Sequence, residues 1–177
     1  ACARCQACVP ARLPVAEFAP DRSQRRCARD NEDLQVSEHP ARFSEEAFDL
    51  YRRYLVGRHP GGGMDDAGRE DFSRFLTSPW SPTRFIEFRL GGRLLALAVT
   101  DVTRYGLSSV YTFYDPDEAA RGLGTFAILS QLRAAARLHL PHLYLGYWID
   151  GHPKMGYKAR FRPLDLLRGN RWVRITG

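Results

Sequence analysis

The spacing of the apolar residues changes from a strand period to a helical period and back again in the second half of the chain. Residues 84–90, 93–101 and 107–114 alternate in the manner of strands and are separated by glycine-containing turns, which predicts an antiparallel meander. Residues 125–138 then have the pattern of an amphipathic helix, and residues 142–149 have the pattern of another strand. Because a strand, a helix and a strand with short links form a right-handed crossover, the last two strands are expected to be parallel.

Earlier segments of the chain predict further elements. Ser44 is placed as the N-cap of a long helix, with Phe43 and Phe48 spaced as a hydrophobic staple around it. A shorter helix is expected around residues 69–76. Apolar residues alternate with prolines over residues 9–15, and since proline cannot donate to a strand ladder, this strand is expected at a sheet edge.

Composition limits the class of protein. The chain has 177 residues, of which 44% are hydrophobic and 26% are charged, and this is enough to bury a core. A disordered tail and a disulfide-stapled miniprotein are therefore excluded. No apolar run approaches the roughly 18 residues that would span a bilayer. The chain begins with Ala and lacks the pattern of a signal peptide, so we expect a cytoplasmic protein with no membrane partner and further sequence upstream.

The net charge of +6 is concentrated in the last third of the chain. Residues 119–177 hold ten basic and two acidic side chains, so a polyanion is an expected partner, with solvated surface charge as the alternative. A basic helix is also predicted over about residues 23–31, where arginines recur at helical spacing. This face is either solvated or a series of phosphate contacts, because like charges this close repel unless an anion relieves them. Its members are Arg22, Arg25, Arg26 and Arg29.

Four cysteines lie near the start of the chain. Cys2, Cys5 and Cys8 form a C-x-x-C-x-x-C pattern, and Cys27 follows in the expected basic helix. This spacing is typical of a metal or iron–sulfur cluster, because neighbouring thiols in a cytosolic chain stay reduced. The alternative is a set of structural thiols, with Cys27 as a small buried side chain. The second interpretation is preferred, and no metal is assigned.

The segment RGLGTF lies between the third meander strand and the following helix. An Arg-x-x-Gly pattern at a helix start exposes backbone N–H groups and the positive end of the helix dipole to an anion. Arg121, Gly122 and Gly124 are therefore candidate substrate-binding residues, although a glycine here also simply lets the chain turn. In this position the segment resembles the pyrophosphate loop of the GNAT-type acyltransferase superfamily.

The resemblance to that superfamily implies a fold class. The expected architecture is an α+β, GNAT-like acyltransferase fold, with an antiparallel meander followed by a βαβ unit and with helices on both faces of the sheet. The last position of the loop motif is normally Gly or Ala, whereas here it is Phe126. Its ring is expected to occupy space that the phosphates of acyl-CoA would need, which disfavours that cofactor.

Four longer segments resemble the aminoacyl-tRNA–protein transferases. They follow the order of that family from about Cys2 to Leu167 and match best its bacterial branch, which attaches leucine to proteins beginning with Asp or Glu, a step in N-degron tagging. Two departures are the absence of the family's usual N-terminal segment and His152, where Cys is more frequent. The four segments are DRSQRR, YRRYLVGRHPGGGMD, SSVYTFYDPDEAARGLGTFAIL and YLGYWIDGHPKMGYKARFRPLDLL.

This family resemblance implies a reaction and a division of the chain. Leucine is transferred from leucyl-tRNA to the α-amine of a protein with N-terminal Asp or Glu, and no cofactor is needed because the aminoacyl ester is already activated. Residues 1–38 are interpreted as the remnant of an N-terminal domain with the cysteine cluster and the basic helix. Residues 39–177 are interpreted as the aminoacyltransferase domain. The four arginines of the basic helix would contact the tRNA, and the choice of leucine over arginine stays open.

Three side chains near the end of the third meander strand are candidate catalytic residues. Asp115, Tyr111 or Tyr114 could take a proton from the attacking amine, whose pKa of about 7.7–8.0 leaves a useful neutral fraction. Asp115 is equally compatible with a turn former or a helix cap. Backbone N–H groups between the parting strands are expected to stabilise the oxyanion.

A basic and aromatic segment follows the fourth strand. Lys154, Lys158 and Arg160 are expected to bind anions, either the acidic side chain of the acceptor or the 3′-end phosphates of tRNA. The aromatic residues between them are expected to stack on the terminal adenosine or to line a leucine pocket, with a core or rim position as the alternative. These aromatic residues are Tyr147, Trp148 and Tyr157.

Two rival functions remain open. One is a CoA-dependent N-acetyltransferase on the same fold. The other is a non-catalytic tRNA-binding module, if the shortened chain is inactive.

Overall fold

A computed structural model describes residues 7–58, 68–76, 81–152 and 155–175, with eight strands, four α-helices and three short 3₁₀ helices. The 3₁₀ helices are Val15–Glu17, Pro116–Arg121 and Gly156–Arg160. The other elements in chain order are β1 (Val9–Pro14), α1 (Arg22–Arg29), β2 (Gln35–Pro40), α2 (Glu45–Arg58), α3 (Arg69–Leu76), β3 (Thr83–Leu90), β4 (Arg93–Thr103), β5 (Gly106–Tyr114), α4 (Leu123–Arg137), β6 (His142–Trp148), β7 (Leu164–Arg168) and β8 (Arg171–Ile175).

All eight strands belong to one mixed sheet with the order β2-β3-β4-β5-β6-β1-β7-β8. Strands β3, β4 and β5 form the predicted antiparallel meander, and β5 and β6 are parallel on either side of α4, as the crossover argument predicts. The remaining neighbours are antiparallel. The α+β class is therefore confirmed.

Strands β5 and β6 pair only at their beginnings. The register joins Leu107 to Leu143 and Ser108 to Tyr144, and no later pair follows along these two described strands. Beyond that point β6 continues to pair with β1 as far as Trp148. The sheet thus consists of two halves that touch over two residue pairs and then separate. We call the space between β5 and β6 beyond these pairs the wedge.

Strand β1 lies in the interior of the sheet, between β6 and β7, so its predicted edge position is wrong. Its pairing with β7 is limited to Ala11 and Arg12, and neither Pro10 nor Pro14 takes part in it. On the β6 side, Pro10 borders a register shift and Pro14 is the last residue of the strand. Prolines are tolerated at bulges and strand ends because no ladder donor is required there.

Helices cover both faces of the meander. Along β4, Leu97 and Val99 pack with α2 and α3, whereas Ala96 and Ala98 pack with α4. A third apolar cluster lies between α4 and the half of the sheet formed by β6, β1 and β7. This alternation is the expected consequence of the two-residue period of a strand that is buried on both sides.

The ring of Phe126 lies in the core and not at the loop that precedes it. Phe126 is 3% exposed, and its ring centroid is 5.4 Å from that of Phe88 in an edge-to-face arrangement. The expectation that this ring fills the space for cofactor phosphates is therefore wrong. The helical turn after Gly122 directs the side chain toward the sheet, so the identity of this residue does not discriminate against acyl-CoA.

Helix α2 begins where its predicted N-cap and hydrophobic staple place it, whereas three strands have no recognisable pattern in the sequence. Ser44 Oγ accepts a 3.2 Å hydrogen bond from Ala47 N–H, and the Phe43 and Phe48 rings form the predicted staple with centroids 6.1 Å apart. Strand β2 has no apolar alternation, and β7 and β8 have five residues each, which is too short for a periodic signal.

In the part of the chain that the structure describes, no helix is both long and apolar enough to cross a membrane.

Candidate functional site

The end of β5 and the start of α4 meet at the mouth of the wedge, and aromatic residues gather there. The Tyr54 ring on α2 is 5.0 Å from the Tyr114 ring and 6.2 Å from the Tyr111 ring. A Cβ added at Gly124 would lie 3.7 Å from the Tyr114 ring. Tyr54 was not among the predicted site residues, although its i, i+3 spacing from Tyr51 places both tyrosines on one face of α2.

The environment of Tyr111 bears on its predicted role as a base. Burial, and secondarily the neighbouring Tyr54 and Tyr51, raise the pKa of the Tyr111 phenol well above its ordinary value. A phenol with a raised pKa stays protonated at neutral pH. The raised pKa therefore favours a role for Tyr111 as a hydrogen-bond donor to developing negative charge over its predicted role as a base, which stays a prediction.

Asp115 is fully buried and both of its carboxylate oxygens accept hydrogen bonds. Oδ1 accepts from Arg53 Nη1 at 3.0 Å and from the backbone N–H of Asp117 at 3.2 Å. Oδ2 accepts from Arg93 Nη1 at 3.3 Å. These contacts correspond to the helix-cap alternative for this residue, while its role as a base stays a prediction. The two arginines have no local sequence signal, because only the fold brings them to Asp115.

The Arg121 side chain is hydrogen-bonded to two carboxylates. Its guanidinium makes two hydrogen bonds of 2.9 Å with Asp33 and one of 3.1 Å with Glu118, and these contacts raise its pKa. Glu118 in turn accepts a 2.6 Å hydrogen bond from Arg93. The side chain of Arg121 therefore points toward the segment after α1, so the backbone of the following turn is better placed than this guanidinium to meet an anion.

The turn at Gly122 initiates α4. Gly122 has a φ of 65°, in the left-handed region that favours glycine, and it is the N-cap of the helix. Its carbonyl oxygen accepts hydrogen bonds from the N–H groups of Thr125 at 2.9 Å and Phe126 at 3.1 Å. These two bonds leave the N–H groups of Leu123 and Gly124 without an intrahelical carbonyl partner. A Cβ at Gly124 would lie 3.7 Å from the Tyr114 ring, so this turn is next to the end of β5.

Helix α1 connects the Gly122 turn to the segment after β6. The buried Gln24 donates a 2.9 Å hydrogen bond to the carbonyl of Arg160, and Cys27 contacts the carbonyls of Arg121 and Gly122 at 3.6 and 3.5 Å. The four predicted tRNA-binding arginines all lie exposed on this helix, as the helical spacing predicts. They are Arg22, Arg25, Arg26 and Arg29.

A cavity of about 430 Å³ lies between α1 and α4. Arg25 and Arg29 of α1 and Arg133 of α4 line it, together with Glu32. Apolar side chains complete the lining, among them Phe18. The cavity extends the basic face of α1 toward α4.

Lys158 is a buried lysine in the segment after β6. It is 5% exposed, and its Nζ donates a hydrogen bond to the carbonyl oxygen of Tyr147, in the part of β6 that has separated from β5. Burial lowers the pKa of this ammonium below its ordinary value. Within the described ranges, no carboxylate forms an ion pair with Lys158, and its Nζ lies 5.8 Å from the centre of the Tyr157 ring. Lys154 lies outside the described residues.

The remaining predicted substrate residues differ in exposure. Tyr147 is 56% exposed, and Tyr157 and Arg160 also lie on the surface. Trp148 is half-buried and packs against the core cluster next to β6. Tyr147 and Tyr157 are thus accessible for stacking, whereas Trp148 takes the rim position that was its alternative.

The cysteine pattern is only partly described. Cys2 and Cys5 lie outside the described residues, Cys8 is exposed and Cys27 is half-buried. Among the side chains that the structure describes, no three His, Cys, Asp or Glu residues are grouped so as to hold a metal ion. Cys27 contacts backbone carbonyls, and burial raises the pKa of its thiol, as for a structural side chain.

Comparison with curated proteins identifies close relatives. The chain is 61% identical over 177 residues to the aspartate/glutamate leucyltransferase of Stenotrophomonas maltophilia strain R551-3, an alignment that covers 97% of this chain and 70% of the relative. It is 57% identical over 173 residues to the protein of the same name from Xanthomonas euvesicatoria pv. vesicatoria strain 85-10, covering 94% of this chain and 69% of the relative.

Comparison with solved structures shows the fold alone. The C-terminal domain assigned to a lysylphosphatidylglycerol synthetase from Agrobacterium fabrum superposes with a TM-score of 0.61 at 15% identity, over 92% of this chain and 60% of that one. L-PGS from Bacillus licheniformis gives a TM-score of 0.58 at 12% identity, over 80% of this chain and 45% of that one.

The family follows from the sequence match. Residues 46–168 match the family described as "Arginine-tRNA-protein transferase, C terminus". This range contains most of the segments on which the resemblance was based, including the Gly122 turn and Lys158. The chain therefore belongs to the arginine-tRNA-protein transferase family.

Proposed function

We propose that this protein transfers leucine from leucyl-tRNA to the N-terminal α-amine of proteins beginning with Asp or Glu, in the cytoplasm and on a GNAT-like fold. The observation that carries the proposal is the wedge, where β5 and β6 separate after two residue pairs beside the turn that opens α4. The name shared by relatives at 57–61% identity supports leucine as the transferred residue.

The proposed reaction requires positioning more than activation. The ester that joins leucine to the tRNA ribose is already activated, so the α-amine attacks its carbonyl directly and the ribose hydroxyl leaves. An unperturbed α-amine has a pKa of about 7.7–8.0, so part of it is neutral at physiological pH. No cofactor is required. The site must hold the amine and the ester together and stabilise the oxyanion.

The donor would bind at the α1 side of the molecule. The four exposed arginines of α1 and the cavity beside them present positive charge to tRNA phosphates. The backbone N–H groups at the start of α4 would then face the 3′ end in the wedge. Tyr147 and Tyr157 are exposed and would stack on the terminal adenosine or contact the leucine side chain.

The acceptor would be recognised by the basic segment after β6. Lys158 holds a buried ammonium beside the separated part of β6, and within the described residues it has no carboxylate partner. An N-terminal Asp or Glu would supply the missing charge, in a low-dielectric setting that strengthens the pair. Lys154 and Arg160 are assigned to the same anionic substrates.

Proton transfer would occur at the end of β5. Tyr111 has a raised pKa and would donate a hydrogen bond to the oxyanion. The proton of the attacking amine would pass to Asp115, Tyr114 or solvent. Because Asp115 already accepts three hydrogen bonds, we favour a positioning role for it over that of the base.

A CoA-dependent N-acetyltransferase is the second candidate function, because the buried position of Phe126 removes the steric objection to acyl-CoA at the Gly122 turn. Thermal unfolding distinguishes the two candidates. A ligand that binds only the folded state raises Tm, so leucyl-tRNA but not acetyl-CoA is expected to protect the protein. Protection by acetyl-CoA alone would favour the acetyltransferase.

A transfer assay tests the proposed function directly. The protein is incubated with tRNAs charged separately with labelled leucine and labelled arginine, and with peptides that begin with Asp, Glu or Ala. Label is expected only from leucyl-tRNA and only on the acidic peptides. Label transferred from arginyl-tRNA would show that leucyl-tRNA is not the specific donor. Equal labelling of the Ala peptide would show that Lys158 does not select an acidic N-terminal residue. Binding of tRNA without transfer would indicate a non-catalytic tRNA-binding module.

A further inference from the structure

The Arg121–Gly122 peptide determines how the first turn of α4 is oriented. The Gly122 carbonyl accepts the N–H groups of Thr125 at 2.9 Å and Phe126 at 3.1 Å. A rotation of Gly122 would therefore displace the first turn of α4, including the N–H groups of Leu123 and Gly124, which have no intrahelical carbonyl partner. Contacts to this peptide therefore affect the position of the turn at which the proposed donor, leucyl-tRNA, would bind.

Asn31 holds this peptide from the segment that follows α1. It is fully buried, and its Nδ2 donates hydrogen bonds of 2.8 Å to the carbonyl of Arg121 and of 2.8 Å to the carbonyl of Cys27. Its Oδ1 is buried without a hydrogen-bond partner among the described residues. An unpaired buried oxygen is unfavourable, so the two hydrogen bonds donated by Nδ2 offset its cost in the folded protein.

Two residues near Asn31 in the chain contact the same turn, one through its carbonyls and one through the Arg121 side chain. Cys27 Sγ lies 3.6 Å from the Arg121 carbonyl oxygen and 3.5 Å from that of Gly122. Asp33 binds the Arg121 guanidinium through two hydrogen bonds of 2.9 Å. One short segment therefore contacts the side chain of Arg121 and both carbonyls of the turn. A Cβ at Gly122 would lie only 3.4 Å from Cys27 Sγ, so this contact is close.

We propose that Cys27, Asn31 and Asp33 form a clasp that positions the Arg121–Gly122 turn for the tRNA donor, with Asn31 as its central positioning residue. This inference rests on the proposed function for the identity of the donor. Helix α1, which carries the exposed arginines, leads directly into the clasp. A phosphate bound on α1 and the turn that faces the 3′ end are thereby held at a constant separation.

The test compares two variants that each remove one buried amide from the full chain. Asn31→Leu keeps a similar side-chain volume and removes both donated hydrogen bonds to the turn region. Gln131→Met is the matched control, because Gln131 is also fully buried, donates a 2.8 Å hydrogen bond to Thr100 and has an Oε1 without a partner among the described residues. Gln131 lies on α4 and makes no described contact with the turn.

Two measurements are made on both variants. Hydrogen exchange of the backbone amides of residues 122–126 measures how often the turn opens, and it needs no substrate. Exchange is expected to be about tenfold faster for Asn31→Leu than for Gln131→Met. Steady-state kinetics measure how well the donor, leucyl-tRNA, is bound. Asn31→Leu is expected to raise KM for leucyl-tRNA by about tenfold, because small displacements of a positioned group are costly, with KM for the acceptor peptide unchanged. The salt dependence of tRNA binding should not change, because no charge is removed.

Several outcomes would overturn the clasp. Equal exchange rates in the two variants would show that Asn31 does not hold the turn, and faster exchange without a change in KM for leucyl-tRNA would show that the turn does not position the donor. If the wild-type protein transfers no leucine, the proposed function fails, while exchange still decides whether the clasp exists. If Asn31→Leu does not fold, Asp33→Asn removes an exposed contact of the clasp and is expected to raise KM for leucyl-tRNA by about threefold.

Discussion

Arg53 on α2 donates a 3.0 Å hydrogen bond to the fully buried carboxylate of Asp115. The second carboxylate oxygen accepts from Arg93 at the start of β4, and the first also caps the 3₁₀ helix through Asp117 N–H. A single carboxylate thus joins a helix, a strand and the segment that leads to the Gly122 turn. These contacts support the positioning role proposed for Asp115 at the end of β5.

Asp115→Ala is expected to lower the free energy of unfolding by roughly 3 kcal/mol, because two guanidiniums lose their partner and the helix loses its cap. Urea unfolding measures this change. Asp115→Asn separates stability from chemistry, and it is expected to leave the shape of the kcat–pH profile unchanged. If instead kcat falls by about 10²–10⁴ and the acidic limb of the profile disappears, Asp115 is the general base.

Lys158→Met is expected to raise KM for peptides beginning with Asp or Glu by about tenfold while KM for leucyl-tRNA stays constant, because a charge-assisted contact to the acceptor is lost. Transfer kinetics with varied peptide measure both constants. Arg168→Met, a change at an exposed position on the end of β7, is the control for loss of one positive charge. An equal effect of both variants would mean that only net charge matters.

The stability of the protein is expected to depend on pH through Lys158. Burial lowers its pKa in the folded state, so between that pKa and the ordinary lysine value the unfolded chain binds more protons than the folded chain. Stability therefore rises with pH through this window, which lies below about pH 10.4. Lys158→Met should remove this rise and should not lower the free energy of unfolding at about pH 7. A large loss of stability at neutral pH would show that the ammonium is structurally required.

Arg25→Ala and Arg29→Ala are each expected to reduce the slope of log K against log salt for tRNA binding by about 0.9, because each removes one phosphate contact. Fluorescence anisotropy over about 50–200 mM salt measures this slope. Arg137→Ala is the matched control, since Arg137 is also exposed but lies at the C-terminal end of α4, where it pairs with Glu38 of β2. Slopes that stay at the wild-type value in both α1 variants would remove α1 from the tRNA-binding surface.

Gly122→Ala is expected to lower the free energy of unfolding by about 1–2 kcal/mol and to raise KM for leucyl-tRNA. Gly91→Ala is matched to it in backbone strain, with a φ of 54° against 65°, but a Cβ at Gly91 has nothing within 4 Å. Gly91→Ala should therefore destabilise the protein without changing KM. A similar rise of KM in both variants would assign the effect to general destabilisation.

Periodicity predicted the elements with strong local patterns. The meander, the basic helix, α2, α3, α4 and the parallel β5–β6 pair were predicted to within about three residues, because their apolar faces and caps are local features. Strands β2, β7 and β8 were missed, since they are short or lack alternation. The hairpin between β7 and β8 did have a turn signal, Gly169–Asn170, with φ values of 51° and 62°.

The sequence by itself determined the family, the α+β class and the chemical character of the basic and aromatic segments, because these depend on residue types at short spacing. Only the tertiary structure decided that β1 lies inside the sheet, that Phe126 points into the core and that Arg121 is held by Asp33. Each of these depends on a partner from a distant part of the chain. Local patterns specify which face of an element is buried, whereas long-range packing specifies what that face meets.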